Sequence, residues 1–129
     1  AEKLQAMVSL GIRNSRMKDF YDLLVISREL DFDGARLAES IAATFQRRRT
    51  PIPENEPLAL TEEFGRDAVK VTQWGAFLQR LRLEPPVREL GEVVAAIASF
   101  LTPPLEVIRR QQAFTMEWTG GGPWRRANR

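Results

Sequence analysis

Apolar residues in this chain recur every three or four positions, segment after segment, and prolines rather than strand-like alternation separate the segments. Leu37, Ile41 and Phe45 mark one helical face; Val71, Trp74, Leu78 and Leu81 mark another; Leu90, Val94, Ile97 and Leu101 mark a third. Side chains at those spacings lie above one another on a helix, whereas a half-buried strand needs a period of two. No pair of segments reads as paired strands. The expected fold is therefore all-α, a compact bundle of about five to six helices. At 129 residues the chain fits one domain, which buries roughly two-thirds of its unfolded surface.

The boundaries follow from capping residues and breakers. A first helix is expected from Glu2 to Leu10, with Leu4, Met7 and Val8 on its inner face and Gly11 as its stop. Asn14 or Ser15 caps a second, from Arg16 to Leu30, whose stretch Leu23–Ile26 is apolar all round and suits a central position. Asp33 caps a third, ending near Arg48, with alanines at 38, 42 and 43 permitting a close neighbour. Pro51, Pro53 and Pro57 break the chain into a long loop. Helix resumes at Thr61, bends at Gly65 or starts anew there before Arg66, and runs to Leu81 before Pro85-Pro86. A fifth helix spans Val87 to Leu101, and Pro103-Pro104 set off a short last one, Leu105 to Gln111. Residues 1–118 then form the helical domain, and 119–129 an irregular Gly/Pro-rich tail around Gly120-Gly121-Gly122-Pro123. Trp118 and Trp124, with no helix to bury them, dock on the body, on another domain or on a partner.

Composition narrows the chemistry. There is no Cys and no His, which excludes disulfides, thiolate chemistry, and the commonest general base and transition-metal ligand. Reactivity must come from carboxylates, Lys, Arg, hydroxyls or a hard cation such as Mg²⁺. A net charge of +2 is too small to imply a polyanion partner, and without Arg125, Arg126 and Arg129 acidic residues outnumber basic ones. With no signal peptide and no apolar run of membrane-spanning length, the cytoplasm is the expected location and no membrane partner is expected.

One stretch stands apart: Arg16-Met17-Lys18-Asp19-Phe20-Tyr21-Asp22 packs polar and titratable groups into two helical turns. On a helix Lys18 and Asp22 are four apart and Asp19 and Asp22 three apart, so a cation and two carboxylates share one side. Phe20, Leu23, Leu24 and Ser27 form the opposite, buriable side. Such a pair suits a divalent metal or a proton transfer; the plainer alternative is a solvated helix start with an ordinary surface ion pair. Gln46-Arg47-Arg48-Arg49 closes the third helix either as cations favoured by the helix dipole or as phosphate contacts for RNA. Trp74 and Phe77 read as core.

The opening Ala1-Glu2-Lys3-Leu4 together with Asn14-Ser15-Arg16-Met17-Lys18-Asp19-Phe20-Tyr21-Asp22-Leu23 resembles the AbiEii/AbiGii family of nucleotidyltransferase toxins. Ala42–Arg48, Thr50-Pro51-Ile52-Pro53, Gln73-Trp74 and Pro123-Trp124 are similar to it as well. The resemblance implies that Lys3 neutralises nucleotide phosphates, that Asp19 is the base on the incoming hydroxyl with Asp22 as second candidate, and that Arg16 and Lys18 line the same cleft. Arg47 and Arg48 are the further candidates for phosphate. It also implies an NTP and Mg²⁺ as co-reactants, a tRNA acceptor and a restraining antitoxin in a phage-defence setting. The family's Gly-Ser turn and metal-holding carboxylates have no counterpart here, so no metal ligand is expected in this chain. It reads as the C-terminal helical portion of a larger enzyme, entered mid-helix at Ala1 and inactive without an N-terminal nucleotidyltransferase domain. The competing reading is a free-standing, non-catalytic helical module that binds protein or RNA.

Overall fold

The computed structural model describes residues 1–10 and 16–126. Gly11 as a helix stop, and Asn14 or Ser15 as a cap, lie outside those residues. Six α-helices occur among the described residues: α1 (Glu2–Leu10), α2 (Met17–Glu29), α3 (Gly34–Arg47), α4 (Glu62–Arg66), α5 (Ala68–Leu81) and α6 (Leu90–Arg109). A 3-10 turn, Leu58–Leu60, precedes α4. Three short strands, β1 (Phe32–Asp33), β2 (Met116–Trp118) and β3 (Trp124–Arg126), complete the fold. The mostly α-helical bundle is the expected class.

Helix α6 is the axis. It buries Leu90, Val93, Val94, Ile97, Phe100, Leu101 and Leu105 and packs against α2, α3 and α4. By length and composition alone it is also long and apolar enough to cross a membrane; here its apolar face is the seam of the bundle. Phe20 of α2 stacks on Phe64 of α4 at 5.3 Å, joining two layers of the core.

Local capping explains most boundaries. Asp33 accepts from the Arg36 backbone N–H at the start of α3, Thr61 from Phe64 at the start of α4, and Asp67 from Lys70 at the start of α5. The bend expected at Gly65 falls instead at Asp67. Gly65 is buried because a Cβ there would sit 2.7 Å from the Cα of Gly91, so it is the contact point between α4 and α6. On α5 the buried residues are Lys70, Trp74, Phe77 and Leu78, while Val71 and Leu81 of the expected stripe are exposed.

Two further expectations are corrected. Pro103 and Pro104 lie inside α6 and do not end it. A proline at 104 has no N–H for the carbonyl four residues earlier, and that carbonyl, of Phe100, accepts instead from the Trp124 indole Nε1 at 2.8 Å. Of the expected irregular tail, the described part, residues 119–126, is likewise ordered into a turn and a strand. β1, β2 and β3 form an antiparallel sheet in that order, with Phe32 opposite Trp118 and Trp118 opposite Trp124. The turn between β2 and β3 caps α2: the Ser27 carbonyl accepts from Trp118 Nε1 at 2.7 Å and from the Gly121 N–H at 2.8 Å. Those bonds satisfy a carbonyl that a helix end leaves without an internal partner. Trp118, Trp124, Phe100 and Phe114 close over the junction with ring centroids 4.7–6.0 Å apart, so both tryptophans dock on the body.

Candidate functional site

Helix α2 buries Met17, Phe20, Leu23, Leu24 and Ser27, and that choice of inner face fixes where its acids go. Asp19 falls at the edge of the buried face, 4% exposed, and Asp22 lies one turn on, half-buried. Helix α1 buries Leu4 and Met7 and brings the preceding Lys3 to α2. It is held from the other side by α3 and by the turn just after it, where Gln5 donates to the Thr50 hydroxyl at 2.9 Å.

Lys3 bridges the two acids. Its Nζ is 3.2 Å from Asp19 Oδ1 and 2.9 Å from Asp22 Oδ2. The second oxygen of Asp19 meets Arg16 Nε at 3.0 Å, and Asp22 Oδ2 also meets Lys18 Nζ at 2.7 Å. Three cations thus enclose two carboxylates, leaving one positive charge over. Two of the three ammonium donors of Lys3 point at carboxylates, and its side chain keeps 36% exposure, so one donor is left for an incoming anion. The Asp22 hydrogen bond, opposed in part by burial and reinforced by Asp19, raises the Lys3 pKa above its ordinary value. Burial pushes the Asp22 carboxyl up, but the hydrogen bonds from Lys18 and Lys3 outweigh it and hold Asp22 below the usual range.

Clefts open on both sides of this cluster. One, of about 620 Å³, has Lys3, Arg16 and Arg48 at its polar edge and Leu23, Ile41 and Leu101 among its apolar walls. The other, of about 550 Å³, lies between α2 and α5 and is lined by Arg16, Lys18 and Asp19 together with Gln73, Phe77 and Arg80. Arg16 belongs to both.

The five candidates Lys3, Arg16, Lys18, Asp19 and Asp22 thus meet in one cluster. Arg47 and Arg48 do not join it: they approach Glu2 Oε1 at 3.8 and 3.5 Å, and only Arg48 reaches a cleft. Sequence reasoning passed over Gln73 and Arg80, which line the cleft between α2 and α5. The signal was available in part, since Gln73 precedes Trp74 on a helix whose buried face includes Phe77. Among the described residues no three potential metal ligands come together, and both acids already face cations. A Mg²⁺ ion needs several free oxygen donors, so these residues do not fit a metal on their own.

Residues 1–102 match the family described as nucleotidyl transferase AbiEii toxin, type IV toxin–antitoxin system, and the chain belongs to that family. The family is one of nucleotidyl transferases that act as toxins, each paired with an antitoxin. The match takes in the Lys3 cluster and both clefts, and stops short of the β2–β3 hairpin. No curated protein and no solved structure matches the chain.

Proposed function

We propose that this chain is the helical portion of a toxin that transfers a nucleotide from an NTP to the 3′ end of an RNA, with tRNA as the acceptor. The observation that carries the reading is Lys3, set between Asp19 and Asp22 at 3.2 and 2.9 Å with a donor to spare. Nucleotidyl transfer asks for positioning and charge neutralisation, and a cluster with one surplus positive charge beside a carboxylate supplies both.

In this reading the acceptor's 3′ oxygen attacks the α-phosphorus of the NTP while Asp19 takes the hydroxyl proton. The bond to the bridging oxygen breaks, pyrophosphate leaves, and Lys3 meets the charge on the phosphates. Asp19 is the base in this reading; that it lines the cleft on the far side from Lys3 supports an approach of acceptor and nucleotide from opposite sides. Asp22, held as a carboxylate by two lysines, aims Lys3. Arg16 and Lys18 add phosphate contacts.

Mg²⁺ belongs to the proposal for the complete enzyme, its ligands supplied by a nucleotidyltransferase domain outside this chain, and these residues alone are inactive. A cognate antitoxin, a cytoplasmic location and a role in phage defence complete the proposal.

The test is transfer of label from NTP to RNA by the full-length gene product. Lys3→Ala and Asp19→Ala are each expected to lower the rate by at least about a hundredfold, with the helical circular dichroism unchanged. Rates within a few-fold of wild type for both variants would remove the assignment.

A further inference from the structure

The cleft between α2 and α5 carries features that the transfer reaction as described leaves unused. Its edge holds three cations, Arg16, Lys18 and Arg80, against the one carboxylate of Asp19. Arg80 is exposed and makes no ion pair among the described residues. Ala76, Phe77 and Leu81 give it an apolar wall, and Leu81 there is 50% exposed. Gln73, half-buried on the same wall, has a side-chain Oε1 that is buried and accepts no hydrogen bond. A buried acceptor left unpaired is costly, and a donor brought by a ligand relieves it. Cations for a backbone, an apolar wall for a ring and an amide for a base edge are the parts of a single-strand nucleotide site.

We propose that this cleft seats the 3′-terminal nucleotide of the RNA acceptor. The base lies against Phe77 and Leu81, and Gln73 turns its amide oxygen to accept from the base's exocyclic amine. Arg80 and Lys18 take the phosphate on the 5′ side, which leaves the terminal hydroxyl toward Asp19. The amine requirement selects adenine or cytosine over uracil at the acceptor's last position. The proposal rests on the transferase reading and adds where the acceptor enters and which ends it takes.

The experiment uses the full-length gene product, labelled NTP and two short RNAs that differ only in ending in adenosine or uridine. Wild type is expected to favour the adenosine end by roughly tenfold in kcat/KM, and Gln73→Leu to bring the two within about twofold. Arg80→Ala is expected to raise the acceptor KM about fivefold to tenfold, leave the NTP KM in place and lower the salt slope of acceptor binding by about one. Both positions lie on solvent-accessible parts of α5, and unchanged circular dichroism verifies the fold. If both variants keep the acceptor KM and end preference of wild type while Asp19→Asn abolishes transfer, the acceptor subsite lies elsewhere and the transferase reading stands. If Asp19→Asn keeps wild-type transfer, or no RNA is labelled, the reading fails and takes the subsite with it.

Discussion

Lys3 holds its place at the acid pair by charge more than by packing, and this has a pH signature. Its pKa is raised, so its contribution to stability is full below its ordinary value of 10.5 and is lost as pH climbs through the raised value. Asp22 is lowered, so its contribution is present above its ordinary value of 3.8 and is lost as pH falls through the depressed value. Urea unfolding of wild type and Lys3→Met should therefore differ by a constant amount across the neutral range and converge at both extremes. With Lys3 more than a third exposed, solvent screening keeps that difference to roughly 0.5–1 kcal/mol. A gap that does not change with pH would mean that Lys3 acts by packing. The proximity of Asp19 and Asp22 was legible from their spacing on one helix. The arrival of Lys3 was not, because nothing in the local pattern fixes how α1 crosses α2; only the family resemblance pointed to it.

Among the elements, the contact of α4 with α6 turns on which glycine is indispensable. A Cβ on Gly65 would meet the Gly91 backbone at 2.7 Å, while one on Gly91 finds nothing nearer than 3.7 Å. Gly65→Ala is expected to cost about 1–3 kcal/mol through forced separation of the helices. Gly91→Ala, in the first turn of α6, should be neutral or stabilising by up to about 1 kcal/mol. Thermal melts of the two variants distinguish them, and equal losses would mean the crossing is looser than described. From sequence, Gly65 reads as a bend because a glycine beside a polar turn usually marks one. Its actual role depends on a neighbour twenty-six positions away, Gly91, which local pattern cannot name. The stripe on α5 erred for a related reason: a period of three to four fits both Val71 and Trp74, and only the position of α2 and α4 decides which faces inward.

For the molecule as a whole, the C-terminal hairpin and the central helix complete each other's hydrogen bonds. Pro104 leaves the Phe100 carbonyl without a helical donor, and Trp124 supplies one from β3. This predicts a coupled pair. Trp124→Phe alone should cost about 1–3 kcal/mol beyond the altered packing, as an unpaired buried acceptor does. In a Pro104→Ala background, where residue 104 brings its own N–H, the same change should cost measurably less. Strict additivity in that double-mutant cycle would disprove the link. The helical class was legible throughout because each helix carries its own period. The sheet was not, because three strands of two or three residues leave no period to read and draw their stability from aromatic contacts across the chain. At the same scale the two clefts share Arg16, with Asp19 lining one and Lys3 the other, and the central claim is that Asp19 takes the proton while Asp22 aims Lys3. Transfer by Asp19→Asn and Asp22→Asn in the full-length gene product tests it most directly. A loss of about 10²–10⁴ for Asp19→Asn, with a clearly smaller loss for Asp22→Asn, is the predicted result. The reverse order, or near-wild-type transfer by Asp19→Asn, would contradict it.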